Sequence, residues 1–465
     1  MNRLTKRPKA TLEKPESRYS RFRLTENPFP TEPVNKDSTD RRINGEIYEP
    51  EIRTKEYDQI EEAFIKPPQS DLNRLRLGYI CDTSYIGRGN GKSAFLINLM
   101  RRMNREYCLD ISEDVNKCFA LYVSPEPGGR TKTFQNLVDL IMHSIVESGI
   151  LETCLASLRF KAIESLYPEM SQELSERDDA ELIELLSSDQ WFAQKDINVA
   201  RIQRHFEEND FLRNLPSDFP LRSPYATLFN RLTTVDNLSD HYRNLRKGRD
   251  RIDFVFSHLV RLFLAAGFNG AYLLVDDFER IPDFQSERQK RDFAIELRSC
   301  LLDGSYQSAM YGFFTMFLVL HAGVPRLVEN AWVSSGLEYR YPLAPKTEAR
   351  HFIAFERLTE EHVYLLVKKY LAAYRSDENG DNALLPFAKD ALDLIAEMSE
   401  KNAAKILRAC WEFLEKAVLD DQRTIIDKEF VEAAKRVTTH EEERGSRVID
   451  SPEATDLYRK ATEGP

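Results

Sequence analysis

Gly87-Arg88-Gly89-Asn90-Gly91-Lys92-Ser93 stands between a short apolar run, Leu77 to Cys81, and a stretch whose apolar residues Phe95, Leu96, Leu99 and Met100 fall at helical spacing. A buried strand, a glycine turn and a helix are the reading of that order. A loop that wraps phosphate must point backbone N–H groups inward, so it has no room for bulky Cβ atoms. Gly89 and Gly91 supply that freedom on either side of Asn90, and Gly87 comes one place late for the usual spacing. A helix opening at Lys92, with Ser93 and Ala94 in its first turn, adds the partial positive charge of its N-terminus. Lys92 would then reach the β- and γ-phosphates of ATP, and the Ser93 hydroxyl would ligate Mg²⁺. Ile86 occupies the place where the usual spacing asks for the first glycine.

Working outward, Cys118 to Val123 reads as a second strand and Thr133 to Ile150 as an amphipathic helix, so the sheet is expected to be parallel and covered by helices. Ala271-Tyr272-Leu273-Leu274-Val275-Asp276-Asp277 is an apolar run that ends in paired acids. Such a strand delivers carboxylates to the C-terminal edge of a sheet, where open α/β folds bind ligands. Asp276 is the candidate Mg²⁺ ligand. Asp277 would orient or deprotonate the attacking water, with Glu279 assisting. The plain alternative is a pair of acids capping the next helix. Phe314 to Leu320 reads as a further strand.

Together these motifs resemble AAA+ ATPases, in the branch with replication-origin initiators and transposition regulators, and the neighbouring STAND ATPases. On that resemblance Phe317 to Leu327 corresponds to the sensor 1 strand and turn, with His321 at the polar sensor position. Gly336 to Leu343 corresponds to the segment of an arginine finger, Arg340. Phe355 to His362 corresponds to the start of a helical lid, and Lys401 to Arg408 to its sensor 2 helix. The family's sensor arginine falls on Ala404, leaving Lys405 or Arg408 to substitute. For His321 the alternative is a hydrogen-bonded core histidine, and for Arg340 a surface ion pair. Gly267 to Arg280 is also similar to ATPases of bacterial phage-defence operons.

The resemblance implies an α/β fold, a P-loop NTPase parallel sheet sandwiched by helices with an all-helical C-terminal lid, and the helix-rich, polar stretch with acidic runs that interrupts it reads as a helical insertion. The expected divisions are a flexible basic N-terminal arm (1–55), the first part of the core (56–150), a helical insertion (151–252), the second part with Walker B and sensor 1 (253–350), the lid (351–438) and a tail (439–465). It also implies ATP hydrolysis coupled to homo-oligomer assembly and to a DNA or protein partner, in phage defence or mobile-element control. A nucleotide-gated scaffold without hydrolysis and a STAND-type sensor of a protein ligand are the alternatives.

Composition bounds these readings. Length, 465 residues, fits two or three domains, and 42% hydrophobic with 30% charged residues is globular. A net charge of −11 argues against a generally basic, DNA-coating surface. Arg3 to Arg23 nevertheless holds eight Lys or Arg, with Tyr19 and Phe22 among them. It reads as a solvated tail or as an arm that touches phosphate. Arg243, Arg246, Lys247, Arg249 and Arg251 form a second basic cluster, read as a solvated helix face. Six scattered cysteines without a CxxC pair argue against a zinc site or disulfide framework and point to reduced, mostly buried thiols. No run reaches the roughly 18 apolar residues of a membrane span, and no secretory signal is present, so a cytoplasmic location is expected.

Overall fold

The computed structural model describes residues 17–68, 71, 74–82, 89–111, 116–222, 231–321, 323–344, 348–376 and 383–435. Within them the chain forms two compact units, Arg53–Arg88 with Lys92–Glu356, and Met1–Ile52 with Gly89–Gly91 and Arg357–Pro465.

The first unit is built on five parallel strands, β1 (Leu77–Asp82), β2 (Cys118–Val123), β3 (Gly270–Val275), β4 (Phe314–Leu320) and β5 (Phe352–Phe355), in the order β2-β3-β4-β1-β5. β1, β3 and β4 are buried along their whole length. That is why they read as unbroken apolar runs and not as alternating ones. Helices α1 (Lys92–Asn104), α2 (Phe134–Glu147), α3 (Ile150–Leu166), α4 (Leu259–Ala266), α5 (Glu287–Leu301) and α6 (Val324–Ser335) accompany the sheet. The fold is therefore mixed α/β with an all-parallel sheet flanked by helices, as expected.

Register places the chemistry. Cys81 lies beside Leu320, so Asp82 and His321, the next residues of their strands, leave the sheet side by side. Val275 pairs with Leu318 and with Val123, so Asp276 and Asp277 emerge at the same C-terminal edge on the neighbouring strand.

Three expectations change. β5 is a real edge strand, where the sequence reading began a helical lid: its inner positions Ile353 and Phe355 are buried and alternate with half-buried ones. The helix expected from Thr133 to Ile150 stops at Glu147, and Gly149 takes a left-handed turn before α3 starts. The insertion is helical but not separate. Its Leu155, Phe192, Ile202 and Phe219 share one hydrophobic core with the sheet residues Leu121, Leu273 and Met316.

The second unit is helical, with α7 (Glu360–Ala373), α8 (Lys389–Met398) and α9 (Ala403–Val418) around a core of Val367, Ile395, Ile406 and Leu414. Here the flexible arm is corrected for its described part. Tyr19, Phe22, Leu24 and Phe29 are buried in that same core. Phe29 stacks on Tyr370 at 6.3 Å and meets Phe387 edge-on at 5.8 Å. Arg18 pairs with Glu415 at 2.8 Å, and Arg21 donates to the carbonyl of Ala417 at 2.7 Å. The aromatic rings among the arginines are core anchors, not stacking platforms for bases, because they are buried and the neighbouring Arg18 and Arg21 reach partners on α9. Arg3 to Lys14 and the tail lie outside the described residues.

All six cysteines are buried, and none forms a disulfide among the described residues. Among the described residues no single helix is long and apolar enough to cross a membrane; the bent pair α2–α3 passes by composition, but its apolar faces belong to the core.

Candidate functional site

Lys92 is the first residue of α1, and its side chain is 5% exposed. Its ammonium forms an ion pair with Oδ2 of Asp82, a carboxylate 4% exposed. The same oxygen lies 3.4 Å from Nδ1 of His321. On its far side His321 presents Nε2 to Oε1 of Glu279 at 3.0 Å. Four side chains from four segments thus form one chain of alternating sign: Lys92, Asp82, His321, Glu279. Each carboxylate is buried, and each has a cation against it, which is the condition for keeping a charge out of water.

His321 is not an ordinary core histidine. Its contacts with Asp82 and then with Glu279 raise its pKa to about 9, against the opposing pull of burial and of the Lys92 charge. The ring is therefore an imidazolium at neutral pH.

The acid pair is built by the strand end. Asp276 takes a hydrogen bond from the Tyr122 hydroxyl at 2.6 Å and one from the Asp277 amide at 2.9 Å. Its own amide is tied to the Val123 carbonyl at 2.9 Å, so β2 fixes where the carboxylate stands. Tyr122 is pushed well above its usual range by burial and by the Asp276 charge. Asp277 turns left-handed, with φ 44°, which Asp tolerates better than most residues. This turn starts the short 3-10 helix Phe278–Arg280 and swings Glu279 inward to His321. Arg280 closes the turn: it pairs with Asp277 and donates to the Pro125 carbonyl at 3.0 Å.

One ligand atom each from Asp277, Glu279 and His321 lies within 4.8 Å of the others. Here Nε2 of His321 faces Oε1 of Glu279 at 3.0 Å, so two of the three side chains are in contact with each other. The hard donors for a divalent cation are carboxylate oxygens, as Mg²⁺ requires.

In the other unit, Gly89 and Gly91 hold φ +104° and +88°. The Gly89 carbonyl accepts from the Ala404 amide at 3.0 Å, and a Cβ on Gly89 would lie 2.7 Å from that of Ala404. Asn402 caps α9 by accepting from the Lys405 amide. The position of the family's sensor arginine therefore sits against a loop glycine, filled by a methyl group.

Within the first unit the structure brings together Lys92, Asp276, Asp277, Glu279 and His321, with Ser93 and Ala94 half-buried in the first turn of α1. Asn90, in the second unit, is buried. The structure does not bring Arg340 to that group. That side chain is half-exposed and lies 3.7 Å from Asp303, which Arg298 already holds at 2.9 Å. In the other unit, Lys405 pairs with Glu400 at 2.7 Å and Arg408 with Glu412 at 3.4 Å. Gly87 lies outside the described residues. In the basic cluster, Arg243 pairs with Asp240 at 3.0 Å and Arg251 with Asp139 at 3.1 Å. Sequence reasoning missed Asp82, Tyr122 and Arg280. An acid directly closing the strand that feeds the glycine loop was the available signal for the first.

Comparisons of the chain with protein-family models, with curated proteins and with solved structures return no match.

Proposed function

We propose that this chain is an AAA+-type ATPase that binds ATP with Mg²⁺ at the C-terminal edge of its sheet. The observation that carries the reading is the linkage of Lys92, at the head of α1, to the Asp276–Glu279 turn through Asp82 and His321. A cation poised for phosphate and carboxylates poised for a metal and a water leave one sheet edge, as phosphoryl transfer needs.

The residues suit the ligand. An ammonium and the Ser93 hydroxyl offer phosphate and metal contacts. Asp276 is held in place by two donors with further lone pairs to give. Among the described residues, a Cβ added to Gly91 would meet nothing within 4 Å, which leaves room for a ligand beside the backbone N–H groups there. Bound Mg²⁺ would neutralise charge on the phosphates. Lys92 would hold the β/γ-phosphates, and Asp277 with Glu279 would orient the attacking water and take its proton.

Turnover by the purified protein, with and without DNA, is the test, compared across wild type, Lys92→Ala and Asp277→Asn. Lys92→Ala weakens ATP binding, and Asp277→Asn binds without turnover; equal turnover in all three removes the assignment. The pairing of Asp277 with Arg280, and of Arg340 with Asp303, favours a second reading, a nucleotide-gated scaffold that assembles on ATP without hydrolysing it. Tight ATP binding with oligomerisation and no phosphate release selects it. A DNA or protein partner, homo-oligomer assembly, a cytoplasmic site of action and a role in phage defence or mobile-element control belong to the proposal through the family resemblance.

A further inference from the structure

Asp82 is a costly residue to place where it is. It ends a strand buried from Leu77 onward, and its carboxylate is 4% exposed. A neutral residue would end that strand without the desolvation penalty. What Asp82 supplies in return is a single oxygen, Oδ2, that takes both the Lys92 ammonium and the His321 imidazolium.

The two contacts differ. Lys92 sits directly on the oxygen, whereas His321 stands 3.4 Å away with its other nitrogen engaged at 3.0 Å by Glu279. If Lys92 turned toward a phosphate, Asp82 would not be left as an uncompensated buried charge. His321 already faces it and remains. The arrangement therefore allows Lys92 to be handed from one anion to another, while the histidine stays between Asp82 and Glu279.

We propose that Asp82 is a positioning residue that competes with the nucleotide's phosphates for Lys92, and by the same oxygen holds His321 so that Glu279 is aimed at the reacting centre. This rests on the reading of Lys92 as the phosphate-binding lysine. Competition from Asp82 weakens nucleotide binding uniformly, and the catalytic contribution of Asp82 comes from ordering the turn used in the chemical step.

Opposite signs make the test. Asp82→Asn keeps the shape and an acceptor but removes the competing charge. It tightens binding of ADP and of a non-hydrolysable ATP analogue about tenfold, and lowers kcat at least about tenfold because His321 loses its anchor. His321→Gln removes a cation that faces Asp82, so Lys92 is released less readily and the same nucleotides bind several-fold more weakly. A merely structural carboxylate would move both variants the same way, toward weaker binding and lower melting temperature. Adding Lys92→Ala to Asp82→Asn cancels the gain in affinity.

If Asp82→Asn does not fold, the His321→Gln arm stands alone, and unchanged or tighter nucleotide binding there overturns the proposal. Affinities shifting in one direction in both variants, or in neither, do the same. Failure of the ATP reading looks different: wild type then binds no nucleotide, or binds it equally well without Lys92.

Discussion

Lys92 and His321 converge on one atom, Oδ2 of Asp82, although one opens a helix and the other follows a strand on the far side of the insertion. Each buried charge in this row is balanced by the next, so every member is expected to matter both to the empty site and to the loaded one.

On the proposed function, Lys92→Ala removes a charge-assisted contact to phosphate, and it also removes one of the cations that face Asp82. ATP affinity should fall about 10- to 100-fold, from roughly 1.5–3 kcal/mol for a hydrogen bond to a charged group. The nucleotide-free protein should also lose stability, by less than the roughly 3–5 kcal/mol of a fully orphaned buried charge, because His321 remains. Calorimetric titration and chemical denaturation read the two effects separately. Full retention of both would place Lys92 outside the site.

Glu279→Gln keeps the volume of a buried side chain that accepts from His321 and removes its basicity. Single-turnover phosphate release should drop about 10²- to 10⁴-fold, the usual worth of positioned general-base catalysis, with ATP binding changed little. An unchanged release rate would exclude Glu279 from the chemistry.

His321 makes stability depend on pH. Its folded pKa of about 9 lies above the ordinary 6.5, so the folded state holds a proton that the unfolded state has released between those values. The stabilisation is complete below about pH 6.5 and is lost as pH rises through 9; its size is of order 2–3 kcal/mol. Urea denaturation from pH 6 to 10 should show this decline, and His321→Gln should flatten it. A decline of equal size in the variant would assign it to another group.

Gly89→Ala and Gly91→Ala impose a similar backbone cost of about 1–2 kcal/mol, since both positions have positive φ. Only at Gly89 does the new methyl group also meet Ala404 and the Asn402 side chain, at 2.7 and 2.9 Å. Melting temperature should therefore fall more for Gly89→Ala, with Gly91→Ala the milder change. The reverse order would contradict the packing of Gly89 on α9.

Phe29→Ala tests the N-terminal segment. Its ring is 1% exposed between Tyr370 and Phe387, so truncation should cost about 3–5 kcal/mol, as for other buried aromatics. A free arm would show no change in denaturation midpoint.

Much of the fold was legible because it is local. Unbroken apolar runs marked β1, β2, β3 and β4, since strands buried on both faces need no alternation. Glycines followed by lysine marked the head of α1 at its observed residue, because the turn demands positive φ. The acid pair at the end of β3 was visible for the same reason. By contrast, β5 is four residues long and half-buried, too short for its period to be told from the start of a helix. Tyr19, Phe22 and Phe29 sit in a charged, proline-rich stretch whose composition suggests a solvated tail. Their burial depends on a surface made by α7, α8 and α9, which no window around residue 20 contains.

The sequence by itself determined that this chain carries a glycine-loop lysine after one buried strand and an acid pair after another, because strand period, helix start and turn chemistry are set by neighbours along the chain. Only the tertiary structure decided that Asp82, Lys92, His321 and Glu279 share one row of charges. The strand order β2-β3-β4-β1-β5 sets the end of β1 beside the end of β4. The low dielectric of that buried edge then requires each carboxylate to find a cation.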